Sequence, residues 1–357
     1  MQKNNMYDIL FTGDCFVRTS GGGHPFTEGI ANLMRNSKNV CVNLETTVGV
    51  GGAKIPKAYN FQVPPQNLQY LKDCGVNLTS VANNHSLDYG EQGFSQTLYN
   101  LKKNDFHVIG SAEDNVCIVK ANDVSYCISS YFGYGGAMAA CNEITILNNV
   151  KKYRSSSDIV IVCLHWGEEY SAYPKPKQQQ LARKLIDNGV DVVIGHHPHV
   201  PQGIEEYKGK YIFYSLGNFN FNVEHPYHNK KTETKYGYCV GLYLTQDKGL
   251  QYDIIPIHIN KQWQPEIIEE KSVQDSFNKY LEEISKPLPK GINSHYYYSH
   301  SAIHIFKNYY PSWHKQIKEQ GNKVVLDMIK WHINPTTFVY YAGVLMSAFV
   351  KKTRLKI

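Results

Sequence analysis

A chain of 357 residues with 42% apolar and 19% charged side chains is long enough to bury a large core, which excludes a disordered protein. The net charge of +6 is unevenly spread: the first 260 residues hold equal numbers of acidic and basic side chains, and the excess follows residue 260. A neutral main body without a basic face excludes nucleic acid as the expected partner. The eight cysteines form no Cys-x-x-Cys pair, which favours buried free thiols in a cytoplasmic protein.

Short apolar runs alternate with helical patterns along the first 200 residues. Buried strands are predicted at Tyr7–Gly13, Asn39–Leu44, Val76–Ala82, Phe106–Gly110, Asp158–Leu164 and Val190–Gly195, and helices at Pro65–Cys74, Gly90–Lys103 and Lys177–Asn188. Three antiparallel pairs are also expected, around Asn122–Asp123, around Lys208–Gly209, and between Tyr238–Thr245 and Gln251–His258. Parallel strands combined with hairpins predict an α/β protein in which two mixed sheets pack together with helices outside.

The sequence changes character beyond about residue 260, which predicts a separate C-terminal region. Ser272–Ser285 and Ser312–Lys330 carry helical patterns, and the apolar run Thr337–Val350 leads into a basic cluster at residues 351–356. At 14 residues this run is too short to span a bilayer. Two interpretations stay open: an interfacial anchor that contacts the membrane or a membrane-bound synthase through residues 337–357, and a terminal helix docked on the body.

Polar side chains able to bind metals or move protons directly follow five of the predicted strands. In chain order these residues are Asp14; Asn43 and Glu45; Asn83, Asn84 and His85; His165; and His196, His197 and His199. Because the carboxyl ends of parallel strands meet at one edge of an α/β sheet, we expect these side chains to converge there. The alternating imidazoles of His197 and His199 can turn toward one ion, and mixed nitrogen and oxygen donors suit zinc, manganese or iron.

Each of these residues also has an ordinary explanation when it is considered alone. Asp14 can cap a turn, Glu45 can be a carboxylate near the start of a helix, and His196 can hydrogen-bond a loop carbonyl. Packing alone does not explain why five strand ends should all deliver such residues. The combined pattern therefore favours a functional site.

Six ordered segments between Tyr7 and Asn260 resemble the CapA family of poly-γ-glutamate and capsule synthesis proteins, which is similar to the calcineurin-like metallophosphoesterases. The segments are Gly13-Asp14, Asn43-Leu44-Glu45, Ala82–Gly90, Leu164–Tyr170, Gly195–His199 and Tyr214–Phe219. The resemblance implies a four-layer αββα metallophosphoesterase-like sandwich over residues 1–260 and a helical C-terminal extension over residues 261–357. It also implies one or two divalent metal ions, manganese, zinc or iron.

The resemblance carries metal-binding roles onto seven residues of this chain: Asp14, Glu45, Asn84, His85, His165, His197 and His199. The phosphoesterase pattern has a histidine two residues after the first aspartate, where this chain has Phe16. One of the two ion sites is therefore expected to have one ligand fewer.

Catalytic and substrate-binding roles are expected for residues beside these ligands. His85, oriented by Asp88, is the candidate for protonating the leaving group, with His196 as the alternative acid or as a residue that supports the ligands. Substrate contacts are predicted for Asn43, Asn83, Lys54, Trp166 and Asn218. Lys54 and the nearby Lys57 can line a rim for an anionic substrate, although a solvated loop explains them nearly as well.

Two functions remain open at this point. The first is a metal-dependent hydrolase of a phosphoester, or of an amide, in the synthesis of capsule, poly-γ-glutamate or exopolysaccharide. The second is a non-catalytic factor that binds polymer or helps to assemble the synthesis machinery. An anionic polymer or a phosphorylated small molecule is the expected partner in either case, and the expected location is the cytoplasm, with the inner face of the membrane as the peripheral alternative.

Overall fold

Two stacked mixed β-sheets organise the chain in the computed structural model, which describes residues 7–19, 22–57, 59–133, 138–139, 141–223, 228–229, 231–247 and 249–301. The strands are β1 (Ile9–Cys15), β2 (Val40–Leu44), β3 (Thr47–Val48), β4 (Gln62–Val63), β5 (Leu78–Ser80), β6 (His107–Ile109), β7 (Val116–Ala121), β8 (Val124–Phe132), β9 (Ile159–His165), β10 (Val192–His196), β11 (Ile204–Tyr207), β12 (Lys210–Phe213), β13 (Asn218–Asn220), β14 (Tyr236–Leu244), β15 (Leu250–Ile259) and β16 (Pro265–Ile267). The α-helices are α1 (Glu28–Arg35), α2 (Leu68–Asp73), α3 (Gly90–Lys103), α4 (Glu143–Arg154), α5 (Pro176–Asp187) and α6 (Lys271–Ser285).

The larger sheet has the strand order β16-β15-β14-β1-β2-β5-β6, and β13 pairs with the end of β1. The smaller sheet has the order β11-β12-β10-β9-β8-β7. The central strands β1, β2, β5 and β6 are parallel in the first sheet, as are β8, β9, β10 and β12 in the second. The carboxyl ends of the central strands are therefore gathered at one edge of each sheet.

Alternation of side chains along β1 shows how the layers pack. Ile9 and Phe11 belong to the apolar cluster that includes Ile128 and Ile161 of the smaller sheet, whereas Leu10 packs in a second cluster beneath α1, α2 and α3. Helices α4 and α5 cover the other face of the smaller sheet with side chains that include Ile146 and Leu185. Burying each such side chain contributes about 1.5–3 kcal/mol. The layers confirm the predicted αββα sandwich.

The predicted strands, and the predicted helices that lie within the described residues, are present with ends shifted by no more than two residues, except that α2 begins three residues after Pro65 because residues 65–67 form a 3₁₀ turn. The three expected antiparallel pairs are β7–β8, β11–β12 and β14–β15, and the two hairpin turns place Asn122, Asp123, Lys208 and Gly209 at positive φ, as their residue types favour. All eight cysteines are free thiols, as predicted. No helix formed by the described residues is long and apolar enough to cross a membrane.

The region after residue 260 contributes to the same layers as far as the structure describes it. Strand β16 adds to the edge of the larger sheet, and α6 buries Phe277 and Leu281 in the main core. The division into domains at residue 260 stays a prediction. The predicted helix Ser312–Lys330 and the candidate anchor at residues 337–357 lie outside the described residues.

Gly195, near the end of β10, is a site where the sheet packing tolerates no side chain. A Cβ atom there would overlap the carbonyl oxygen of Tyr214 and approach Trp166 Nε1 to 2.8 Å. We expect Gly195→Ala to lower the free energy of unfolding by about 3 kcal/mol, because backbone and a buried ring must move. Gly29→Ala is the matched control: its Cβ meets only Ile267 Cδ1 at 3.9 Å at an exposed position of helix α1, so a gain of about 0.5–1 kcal/mol is expected. Equal urea-unfolding midpoints for both variants would contradict this account.

Candidate metal centre

The ends of four strands bring the predicted site residues together where the two sheets meet. Asp14 of β1 is the register partner of Asn43 in β2, and His165 of β9 is the register partner of His196 in β10. Contacts cross from one sheet to the other: Asn43 Nδ2 lies 3.3 Å from His165 Nδ1, and His196 Nδ1 lies 3.2 Å from Asp14 Oδ1. The predicted convergence of strand ends is therefore a property of the fold.

Glu45 lies at the centre of this group and is fully buried. Its Oε1 atom lies 3.7 Å from Nε2 of His165, 3.7 Å from Nε2 of His199 and 4.0 Å from Nε2 of His85. Among the described residues, neither carboxylate oxygen of Glu45 has a hydrogen-bond partner. Since a buried carboxylate without partners is costly, burial and the nearby charge of Asp14 raise the pKa of Glu45 well above its ordinary value.

Asp14 is the second buried carboxylate and has a different environment. It accepts a hydrogen bond from Asn43 Nδ2 at 2.9 Å and one from the His197 backbone N–H at 3.3 Å, and its Oδ2 lies 3.2 Å from His199 Nδ1. Burial alone would favour the neutral acid, but the His196 and His199 rings, whose Nδ1 atoms each lie 3.2 Å from a carboxylate oxygen of Asp14, hold the pKa of Asp14 well below its ordinary value. Asp14 is therefore a carboxylate at neutral pH, next to a Glu45 side chain that resists ionisation.

The histidines of the smaller sheet differ in their charge. Burial lowers the pKa of both His165 and His197, and this leaves neutral rings whose nitrogen lone pairs can bind an ion. His199 is also buried, but the nearby Glu45 and Asp14 overcome this effect and raise its pKa to about 10. The backbones of His197 (φ 98°) and His199 (φ 56°) are left-handed, a conformation that is strained for residues other than glycine and is found at functional sites.

A hydrogen-bonded network orients His85 at the edge of the group. Its Nδ1 lies 2.6 Å from Asp88 Oδ2, while Lys57 Nζ donates to Asp88 Oδ1 and to the Asn84 carbonyl, both at 2.7 Å. The Phe61 ring stacks on the imidazole at a centroid distance of 4.0 Å. Burial lowers the pKa of His85 to about 4, so the ring is neutral near pH 7, with Nδ1–H directed at Asp88 and Nε2 directed toward Glu45.

Two groups of three donors share Glu45 and are suited to hold divalent ions. One consists of Asp14, Glu45 and His199, and the other of Glu45, His165 and His197; the donor atoms of each group lie within 4.8 Å of one another. The partnerless oxygens of Glu45 and mixed imidazole and carboxylate donors fit a cation such as zinc, manganese or iron. Asn84 Oδ1, 2.7 Å from His165 Nε2, adds an oxygen donor to the second group.

Phe16 has no side-chain atom that can bind a metal ion. Its ring packs against Phe61 at a centroid distance of 4.6 Å and against Phe221 at 6.3 Å. Phe221 in turn lies 4.4 Å from the His199 ring. In place of a ligand, position 16 supplies part of an apolar wall that supports His85 and His199 and excludes water beneath the donors.

The residues predicted to contact substrate have different surroundings. Asn43, Asn83 and Asn218 are buried and hydrogen-bond within the site: Asn83 Nδ2 donates to the Leu44 carbonyl at 2.9 Å, and Asn218 Oδ1 lies 2.9 Å from His199 Nδ1. They hold the ligands in position, and their predicted substrate contacts stay predictions.

Trp166 and Lys54 have different surroundings from these asparagines. The Trp166 ring is buried, stacks on Tyr214 and donates its indole N–H to the Tyr214 carbonyl at 3.1 Å, and its predicted substrate contact stays a prediction. Lys54 is exposed between β3 and β4, and no hydrogen bond or ion pair joins it to the other described residues of the site.

Two residues of the site have roles that the sequence did not reveal. Lys57 was predicted only as part of a solvated or substrate-facing rim, and it instead bridges Asp88 and the Asn84 carbonyl. Glu169 received no role, yet its carboxylate lies within 4.8 Å of the ligand atoms of His197 and His199. The only available signal was the position of Glu169 in the segment Leu164–Tyr170, directly after a site strand.

The stacked sheets define an αββα protein whose strand ends gather a cluster of carboxylate and imidazole donors around Glu45. The chain matches the family described as Bacterial capsule synthesis protein PGA_cap over residues 2–223, and it belongs to that family. It is 30% identical over 284 residues to the PGA biosynthesis protein CapA of Bacillus subtilis, covering 72% of this chain and 73% of that protein. It is 29% identical over 255 residues to the capsule biosynthesis protein CapA of Bacillus anthracis, covering 65% and 61%.

Solved structures show a more distant likeness. A phosphatase from Mycoplasma pneumoniae aligns with a TM-score of 0.45 and 15% identity, covering 71% of this chain and 94% of that chain. The NAD nucleotidase of Haemophilus influenzae aligns with a TM-score of 0.39 and 13% identity, covering 76% and 55%. The αββα arrangement of this protein follows from the strand order and packing described above, not from these alignments.

Proposed function

We propose that this protein is a metal-dependent hydrolase that acts in the synthesis of capsule, poly-γ-glutamate or exopolysaccharide, and that it cleaves a phosphoester, with an amide as the alternative bond. The proposal depends on one observation: a fully buried Glu45, without hydrogen-bond partners among the described residues, is shared by two groups of metal donors. Membership of the PGA_cap family supports the biological process.

The candidate donor residues form two sets, and each set would hold one ion. Asp14, Glu45 and His199 would hold one ion, and Glu45, Asn84, His165 and His197 the other. Such ions polarise the scissile group and favour formation of a nucleophile near neutral pH. Asn43 and Asn218 fix Asp14 and His199 by hydrogen bonds, while the wall formed by Phe16, Phe61 and Phe221 keeps water from the buried side of the donors.

Removal of one donor tests this proposal. We expect purified wild-type protein to bind two Mn²⁺ ions per chain and His197→Ala to bind one. His197 is a donor in the group with Glu45 and His165, so its loss should leave the ion held by Asp14, Glu45 and His199 in place. Hydrolysis of bis(p-nitrophenyl) phosphate with saturating Mn²⁺ should fall by at least ~10²-fold, since two ions act together on the reacting group. Elemental analysis and a colorimetric assay measure the two quantities.

His258→Ala is a matched control, because His258 pairs with Glu266 on β15 and β16 at the far edge of the larger sheet. It should keep both ions and full activity. A wild-type protein that binds no Mn²⁺, Zn²⁺ or Fe²⁺ would contradict the proposed hydrolase.

The second candidate function is a non-catalytic factor that binds polymer or assists assembly, and the loss of a histidine ligand at Phe16 favours it. This alternative predicts bound metal without turnover of either bis(p-nitrophenyl) phosphate or a γ-glutamyl anilide. For either function we propose an anionic polymer or a phosphorylated small molecule as the ligand. Contact of residues 337–357 with a membrane or a membrane-bound synthase is proposed as well, and vesicle sedimentation with and without these residues tests it.

A further inference from the structure

The two groups of donors at the candidate metal centre are unequal. Glu45, His165 and His197 are joined by Asn84 Oδ1, which gives four protein donors. Asp14, Glu45 and His199 provide three, and the Phe16 ring, which packs among aromatic side chains, provides none. Manganese and iron prefer more than three ligands, and a carboxylate oxygen suits either ion. The group of Asp14, Glu45 and His199 therefore has room for a further carboxylate.

Glu169 is placed to provide that carboxylate. Its ligand oxygen and the nitrogens of His197 and His199 all lie within 4.8 Å of one another. Glu169 itself is half-buried.

The backbone on both sides of Glu169 is fixed to the segment that carries the two histidines. The Trp166 N–H donates to the His196 carbonyl at 3.0 Å, and the Tyr170 N–H donates to the Pro198 carbonyl at 2.8 Å. Tyr170 also has a left-handed backbone (φ 65°), which turns the chain immediately after Glu169. The position of Glu169 is thus set by the same hydrogen bonds that connect its loop to the ligand segment.

We propose that Glu169 is a metal ligand that binds an ion together with His197 and His199, and so adds a carboxylate to the centre in which Phe16 cannot supply a ligand. The inference rests on the proposed metal-dependent function and extends it by one residue. The neighbouring Glu168 has a different environment, because it forms an ion pair with Lys175 at the start of α5.

Calorimetric titration with Mn²⁺ alone tests this ligand without reference to activity. Wild-type protein should show two binding events, and Glu169→Gln should weaken one of them at least ~10²-fold while leaving the other unchanged, because the amide keeps the shape of the side chain but loses its charge. Glu168→Gln, the matched control, should bind both ions as the wild-type protein does. Elemental analysis after gel filtration should then give two, one and two ions per chain.

The outcomes separate this inference from the function on which it rests. If Glu169→Gln binds both ions with wild-type affinity, Glu169 is not a ligand, and the proposed hydrolase is unaffected. If wild-type protein binds no metal, both proposals are wrong. If Glu168→Gln loses an ion to the same extent as Glu169→Gln, the effect comes from the charge or order of the loop, and the assignment of Glu169 as a ligand is also wrong.

Discussion

Glu45→Gln is expected to abolish binding of both metal ions and to reduce hydrolysis to background. Among the described residues, one donor group contains Asp14 and the other contains His165, and Glu45 is the one residue that belongs to both. An amide has no negative charge to offset the charges of two cations, and only its oxygen can serve as a ligand. Mn²⁺ at 100 times its dissociation constant should stabilise the wild-type protein by about 2.7 kcal/mol for each site and should leave the variant unchanged.

The same substitution should have the opposite effect on the protein kept in chelator. The folded-state pKa of Glu45 is raised, chiefly by burial, so the native state holds a proton that the unfolded state loses above about pH 4.5. Without metal, the contribution of Glu45 to stability is therefore present below that pH and declines as the pH rises toward the folded-state pKa. Glutamine cannot ionise, so Glu45→Gln should become progressively more stable than the wild-type protein between pH 5 and pH 8.

Glu205 provides a matched control for this change in the sign of the stability effect, since its carboxylate is also buried but is hydrogen-bonded by several side chains. Arg183 Nε donates to it at 2.8 Å, Tyr214 Oη at 2.7 Å and Gln179 Nε2 at 3.0 Å. Glu205→Gln should lower the free energy of unfolding by about 1–3 kcal/mol in chelator and leave the Mn²⁺ response intact. Urea unfolding at pH 5 and pH 8, with Mn²⁺ or chelator, measures all these effects. A Glu45→Gln variant less stable than the wild-type protein in chelator at pH 8 would contradict them.

The convergence of the candidate donors was predictable from sequence because they lie at or directly after the carboxyl ends of apolar strands, whose parallel arrangement requires their ends to meet. Asp14, His165 and His197 needed no tertiary information beyond that rule. Strand β13 was not predicted, since three residues carry too little periodicity, although it pairs with β1 at Asp14. Short elements of this kind are stabilised by their neighbours in the sheet rather than by their own pattern.

Lys57 and Glu169 show the opposite situation, because their roles depend on loops that fold over the site. Lys57 reaches Asp88 across 31 positions of sequence, and the Glu169 loop is fixed by hydrogen bonds to the His196 and Pro198 carbonyls. A charged residue in a polar loop has the same appearance in sequence whether its side chain is solvated or hydrogen-bonded within a site. Trp166 directly follows the candidate ligand His165, and its indole N–H is hydrogen-bonded to the Tyr214 carbonyl.

His85→Gln is expected to lower the rate of hydrolysis by about 10²–10⁴-fold while both ions remain bound. His85 is outside the two donor groups, with its Nε2 atom 4.0 Å from Glu45 Oε1, and the Asp88 contact holds that atom toward the centre of the site. Loss of an ion in this variant would instead identify His85 as a ligand. Elemental analysis and the rate at saturating Mn²⁺ distinguish these two roles.

Lys57→Met tests the direction of proton transfer at His85. The charge of Lys57 helps burial to lower the pKa of His85 to about 4, whereas Asp88 acts to raise it. Removing the lysine should therefore raise this pKa, and the His85-dependent limb of the pH–rate profile should move to higher pH. If His85 protonates the leaving group, the rate falls as the pH rises through the pKa of His85. The Lys57→Met variant should then be faster than the wild-type protein at pH 6–7, because a larger fraction of its His85 rings is protonated. A limb that rises with pH would show that His85 acts as a proton acceptor, and a limb that does not move would contradict the coupling of Lys57 to His85.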